Sequence, residues 1–216
     1  MANSKGSMTL DEHYAQLKAE GRYEAVMERK RQQEEVRQRQ AIVWQQAEAP
    51  LVNDLNRTGG VHVASVWDLV NTEGSYPEAI PILLDHLRRS YPERVREGIA
   101  RALAVPDARK GWPILLQAFS EEQDSTTLGV KWALALALGA SGTDAELDDV
   151  LPLLGDTSLG RNRVPLLSIL RRSRDPRSRA TLQQLADDEA IGGEARKILA
   201  KVEKAASKRI TSKRVN

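Results

Sequence analysis

The sequence predicts an all-α chain: a right-handed α-solenoid of stacked helix pairs behind a long N-terminal helical extension. Three observations lead there. A nine-residue segment recurs four times at a nearly constant interval. Apolar residues inside and ahead of each copy fall three to four positions apart, on one helical face. No alternating run is long enough to claim a strand.

In chain order, Met1–Ser7 (MANSKGS) lacks the apolar region of a signal peptide and reads as a small polar leader, with Met8 as a second start. Residues 1–10 are expected to be disordered. Residues 11–49 form a polar helical extension, rich in Glu, Arg, Lys and Gln, with Gly21 as the one candidate break. A helix over Tyr23–Gln46 would extend about 36 Å, and its middle, Glu28–Gln40, is nearly all polar. Such a helix either projects into solvent or meets a partner.

The repeat domain is expected over residues 50–205. Its first pair uses Leu51, Val52 and Leu55, a turn at Arg57–Gly60, and a second helix opening at Val61 and continuing through Val66, Trp67, Leu69 and Val70. The four copies follow: VREGIARAL from Val95, VKWALALAL from Val130, NRVPLLSIL from Asn162 and ARKILAKVE from Ala195, at intervals of 35, 32 and 33 residues. The second position is always basic (Arg96, Lys131, Arg163, Arg196) and the fifth always a branched aliphatic (Ile99, Leu134, Leu166, Leu199). An apolar segment precedes each copy, as in AIPILLDHL from Ala79 and GWPILLQAF from Gly111. The unit is helix A, turn, helix B, turn. One pair cannot bury both apolar faces alone, so successive pairs must stack. Residues 206–216 make a basic C-terminal tail.

From about Pro77 to Ala205 this pattern resembles the short HEAT repeats, the PBS-lyase HEAT-like type, and is similar to small bacterial HEAT-repeat proteins. A basic residue following an aliphatic one at the head of helix B carries the resemblance. The family's aspartate before helix B is only partly kept, at Asp124 and Asp156; Ser90 and Asp188 fit less cleanly. The resemblance implies that the basic ladder ties each repeat to the next through acids near the turns; the other reading is a positive inner stripe for an acidic ligand.

Charge and composition narrow the function. With 32 basic and 30 acidic residues the chain is near neutral, so global charge does not argue for nucleic acid or membrane. There is no cysteine, which excludes disulfides and thiol chemistry, and no apolar run long enough to span a bilayer; a cytoplasmic protein is expected. His13, His62 and His86 lie far apart, no nucleotide-binding or hydrolase motif is present, and the pairs Glu121–Glu122, Asp148–Asp149 and Asp187–Asp188 sit near helix ends, where capping accounts for them. No catalytic residue, metal site or cofactor is expected, and no enzyme.

Binding residues are expected where packing leaves helix B open, at the third and seventh positions of each copy. They are Glu97 and Arg101, Trp132 and Leu136, Val164 and Ser168, and Lys197 and Lys201. An apolar centre at Trp132, Leu136 and Val164 flanked by charge has the composition of a protein-binding patch, unless a neighbouring helix or the N-terminal arm covers Trp132. The expected function is thus a non-catalytic protein-binding scaffold or adaptor, in one version immunity- or antitoxin-like. The alternative is nucleic-acid binding through the basic ladder and C-terminal tail, an architecture used by HEAT-type alkylpurine DNA glycosylases, whose catalytic motif has no match here. The analogy to phycobilin lyase subunits would require a tetrapyrrole site, and none is legible.

Overall fold

The computed structural model describes the backbone of residues 8–70, 72–123 and 128–214, and side chains as far as Lys204. Among the described residues the chain is all-helical, 78% helix in eleven α-helices with no strand. It divides into two compact units, residues 1–46 and 47–216. The leader Met1–Ser7 and Asp124 lie outside the described residues.

In the first unit, α1 (Leu10–Ala19) starts at a reciprocal cap: the Thr9 hydroxyl accepts from the Glu12 amide, and the Glu12 carboxylate accepts from the Thr9 amide at 2.8 Å. Gly21, at φ 66°, turns the chain. Helix α2 (Tyr23–Thr58) then begins, with the Tyr23 ring edge-on to Tyr14 at 5.8 Å. Along its polar stretch the pairs Glu28–Arg31 and Glu35–Arg39 lie on solvated turns. Pro50 stands inside α2 and has no N–H to offer the Gln46 carbonyl, so the helical ladder is interrupted where the two units divide.

The second unit opens with the last turns of α2, which bury Leu51 and Leu55 completely. The expected helix from Val61 is narrowed to α3 (Trp67–Val70). The reason is local: the Asn56 amide grips the Val63 backbone at both N–H and C=O (2.8 and 2.9 Å), holding the chain out of helix. The Asp68 carboxylate then accepts from the Ala64 and Ser65 amides just ahead of α3.

Four pairs follow, in the order the repeat predicts. They are α4 (Ala79–Leu87) with α5 (Glu93–Ala102), α6 (Trp112–Glu121) with α7 (Val130–Ser141), α8 (Leu147–Gly155) with α9 (Leu167–Arg172), and α10 (Pro176–Gln184) with α11 (Gly192–Arg214). In the third pair the copy does not begin as α-helix. Residues 157–166 form a 3₁₀ segment, and α9 starts only after Pro165, which cannot donate to the preceding turn.

Within the second unit α5 packs on α7, α7 on the 157–166 segment and α9, and α9 on α11, while α4 touches α6. First positions Val95, Val130, Asn162 and Ala195 are all buried, as are the fifth-position residues Ile99, Leu134 and Leu166; Leu199 is half-buried. Each fully buried aliphatic contributes about 1.5–3 kcal/mol over its exposed state. Close approach is built in at Gly139, where a Cβ would lie 2.4 Å from the Pro165 carbonyl oxygen.

Candidate functional site

The basic second positions are absorbed into the framework: Arg96 and Arg163 reach into the next pair, whereas Lys131 and Arg196 bond within their own. Arg96 meets the Glu122 carboxylate at 2.6 Å, and Lys131 donates to the Glu122 carbonyl at 2.7 Å. Arg163 is buried, grips both oxygens of Asp188 at 2.8 and 3.0 Å, and also donates to the Leu154 and Gly160 carbonyls. Arg196 donates to the Ala186 carbonyl. Electrostatics follow this geometry. The Arg163 guanidinium, together with the Ile191 and Ala190 amides, holds the Asp188 carboxyl below the usual range against the opposing effect of burial. Bonds from the Ser158 hydroxyl and amide lower Asp156, assisted by the Arg163 and Lys131 charges.

The carboxylate pairs are likewise structural. Asp149 accepts from the Trp112 indole at 2.8 Å, Asp148 pairs with Arg177, and Glu121 accepts from Gln117. His86 is buried, with Nε2 donating to Asp54 at 3.1 Å and Nδ1 2.6 Å from the Tyr91 hydroxyl. That bond holds the Asp54 carboxyl below its ordinary range, against a smaller opposing effect of desolvation. Among the described residues no group of three or more His, Asp or Glu converges as metal ligands, and no helix is long and apolar enough to cross a membrane.

The eight expected binding residues separate into two sets. Leu136, Val164, Ser168 and Lys201 come together in one cleft of about 470 Å³ on the helix-B side. Glu97, Arg101, Trp132 and Lys197 do not line it. Glu97 and Arg101 are bonded to each other at 2.7 Å, and Arg101 also donates to the Leu128 carbonyl. Trp132 is half-buried and Lys197 exposed.

Four successive B elements build the cleft. Ala104 follows α5; Leu136 and Ala140 come from α7; Val164 and Pro165 close the 157–166 segment. Ser168, Arg171 and Arg172 belong to α9, and Ile198 and Lys201 to α11. Its walls are apolar and its charges all positive.

The joint beneath is held by polar bonds: Ser168 Oγ and an Arg172 nitrogen each donate to the Gly139 carbonyl at 2.7 Å, and Arg172 also reaches the Gly142 carbonyl at 2.9 Å. These cap the last carbonyls of α7 with side chains from the next pair. Burial, with the adjacent Arg171 charge, lowers the Arg172 guanidinium from its ordinary value; a guanidinium in a protein nonetheless stays charged.

Arg171 and Arg172 escaped the sequence pattern because they fall just past the nine-residue window, which ends at Leu170. The signal was present: each lies three or four residues past Ser168, on the same helical face. A second recess, of about 610 Å³, lies around Arg88, Arg89, Tyr91 and Gln117. It is less suited to a ligand, because its Arg89 and Arg96 charges are already matched by Asp85 and Glu122.

Comparison with family models, with curated proteins and with solved structures returned no match.

Proposed function

We propose that the second unit is a right-handed α-solenoid of HEAT-like helix pairs and that it works as a non-catalytic protein-binding scaffold through its helix-B surface. The single observation that carries the reading is the cleft, whose lining is drawn from four consecutive B elements and is apolar with a cationic edge. Support for stacked repeats comes from polar bonds that recur near one repeat length: Asp54–His86 and Ser75–Asp107 at 32 residues, Arg161–Glu194 and Gly139–Arg172 at 33, and Trp112–Asp149 at 37. The nucleic-acid alternative relies on the ladder and the C-terminal tail; the tail side chains lie outside the described residues, and in the ladder Arg163 is buried and Arg96 is paired, so both are poorly placed to meet phosphate.

Affinity capture from the native cell tests the proposal. Wild-type chain, Leu136→Asp, Val164→Arg and a control at exposed Gln183 (Gln183→Asp) are compared after circular dichroism and melting establish that each is folded. Specific proteins retained by wild type and control but lost from both cleft variants are expected. Retention of every captured protein at wild-type strength by folded cleft variants overturns the reading.

A further inference from the structure

Resting on that docking reading, we infer that the cleft takes an acidic segment of a partner protein, seating an aliphatic side chain on the apolar floor and carboxylates against Arg171 and Lys201. Charge complementarity favours that occupant. Helices α7 and α9 and the 157–166 segment between their pairs contain no Asp or Glu at all. In α11 the only acids are Glu194 and Glu203, already bonded to Arg161 and Arg179.

The edge cations have no such compensation. Arg171 is exposed and makes no ion pair among the described residues, and the same holds for Lys201. Arg172 beside them is committed to the α7 carbonyls, so its charge stays in place while its donors are partly used. Three cations therefore stand around one apolar floor, and α7, α9, α11 and the 157–166 segment supply no unpaired carboxylate to balance them.

The floor decides between anionic partners. Leu136, Val164, Pro165 and Ile198 offer nothing to a phosphate backbone, whereas an aliphatic side chain buried there is stabilised in proportion to the apolar surface removed from water. A nucleic-acid strand would use the cations and leave the floor wet. A peptide with alternating acidic and aliphatic residues uses both.

The test uses the full chain and labelled synthetic peptides in fluorescence anisotropy. The first probe alternates Glu and Leu, the second replaces Leu by Ser, and the third replaces Glu by Lys. The Glu–Leu peptide is expected to bind, and the other two about tenfold more weakly or worse. Arg171→Glu and Lys201→Glu should each weaken the Glu–Leu peptide by about five- to tenfold, with a steeper loss at high salt in the wild type than in either variant. Both side chains are exposed, so melting temperatures near wild type are expected; Arg171→Gln and Lys201→Gln, expected to lose less, provide a milder pair should a reversal unfold the chain. Arg88→Glu, away from the cleft, should leave affinity unchanged.

Several results overturn the inference. They are no binding of the Glu–Leu peptide, equal binding of the Lys–Leu peptide, indifference to both charge reversals, or tighter binding of a short duplex DNA that displaces the peptide. Failure here is separable from failure of the scaffold reading. If Leu136→Asp loses its captured proteins while Arg171→Glu and Lys201→Glu keep them, the docking surface stands and the acidic partner falls.

Discussion

Arg163 grips Asp188 through two nitrogens at 2.8 and 3.0 Å, joining the head of the third helix-B copy to the turn before the fourth. The arginine side chain is 1% exposed, and two further N–H donors are taken by the Leu154 and Gly160 carbonyls. A buried charge with four of its five donors bonded in this way is a joint rather than a ligand site. The same stretch, Asn162–Leu166, winds as 3₁₀ and carries Pro165, which has no N–H to offer the preceding turn.

Removing one side of this pair should be severe. Arg163→Met leaves the Asp188 carboxylate without its main partner, and urea denaturation is expected to show a loss of about 3–5 kcal/mol. The double variant Arg163→Met, Asp188→Leu should recover part of that loss, since no charge is then stranded. A loss below about 1 kcal/mol for the single variant would falsify the joint.

The same pair makes stability sensitive to acid. The Asp188 carboxyl is held below its ordinary value, so its contribution is full above the unfolded aspartate pKa, about 3.9, and is lost as pH falls through the lower folded value. Melting temperatures followed from about pH 5 down to pH 2 should therefore fall less steeply in Asp188→Asn than in wild type. Parallel curves would show that the pair does not titrate with folding.

Gly139 sets how closely the second and third pairs approach. An added methyl would meet the Pro165 carbonyl oxygen at 2.4 Å and Ser168 Oγ at 2.9 Å. Gly139→Ala is expected to lower stability by about 1–3 kcal/mol through forced separation of α7 from that backbone. It should also weaken any ligand of the adjoining cleft, a joint effect measurable by melting and anisotropy on the same sample.

The buried His86 depends on two partners. Tyr91→Phe removes the hydroxyl 2.6 Å from Nδ1 while keeping the ring that stacks on the imidazole. A loss of about 1–2 kcal/mol is expected in chemical denaturation, the range for stranding a buried polar atom. An unchanged midpoint and slope would mean that solvent reaches Nδ1 in place of the tyrosine.

Much of the helical order could be read along the chain because helix formation and capping act over a few residues. The spacing of Ile80, Leu83, Leu84 and Leu87 announced the buried face of α4, and all four are buried. Pro165 was visible too, but its consequence was not, since a proline near a helix start either begins the helix or delays it. Val61 to Val66 carried enough apolar residues for a helix, but the Asn56 side chain across the turn at Gly59 and Gly60, together with the Glu48 and Asp68 carboxylates, bonds that backbone outside a helix.

By itself the sequence determined the period, the order of the pairs and which positions face inward, because apolar periodicity and breakers are properties of short windows. Only the tertiary structure decided which outward positions share a surface. Leu136, Val164, Ser168 and Lys201 converge while Trp132 stays apart, and Arg171 and Arg172 join them from beyond the repeated window. The physical reason is that convergence depends on how far each pair is displaced against the next. That displacement is set by contacts such as Gly139 against Pro165 and Arg163 against Asp188, whose partners lie about 25 or more residues apart.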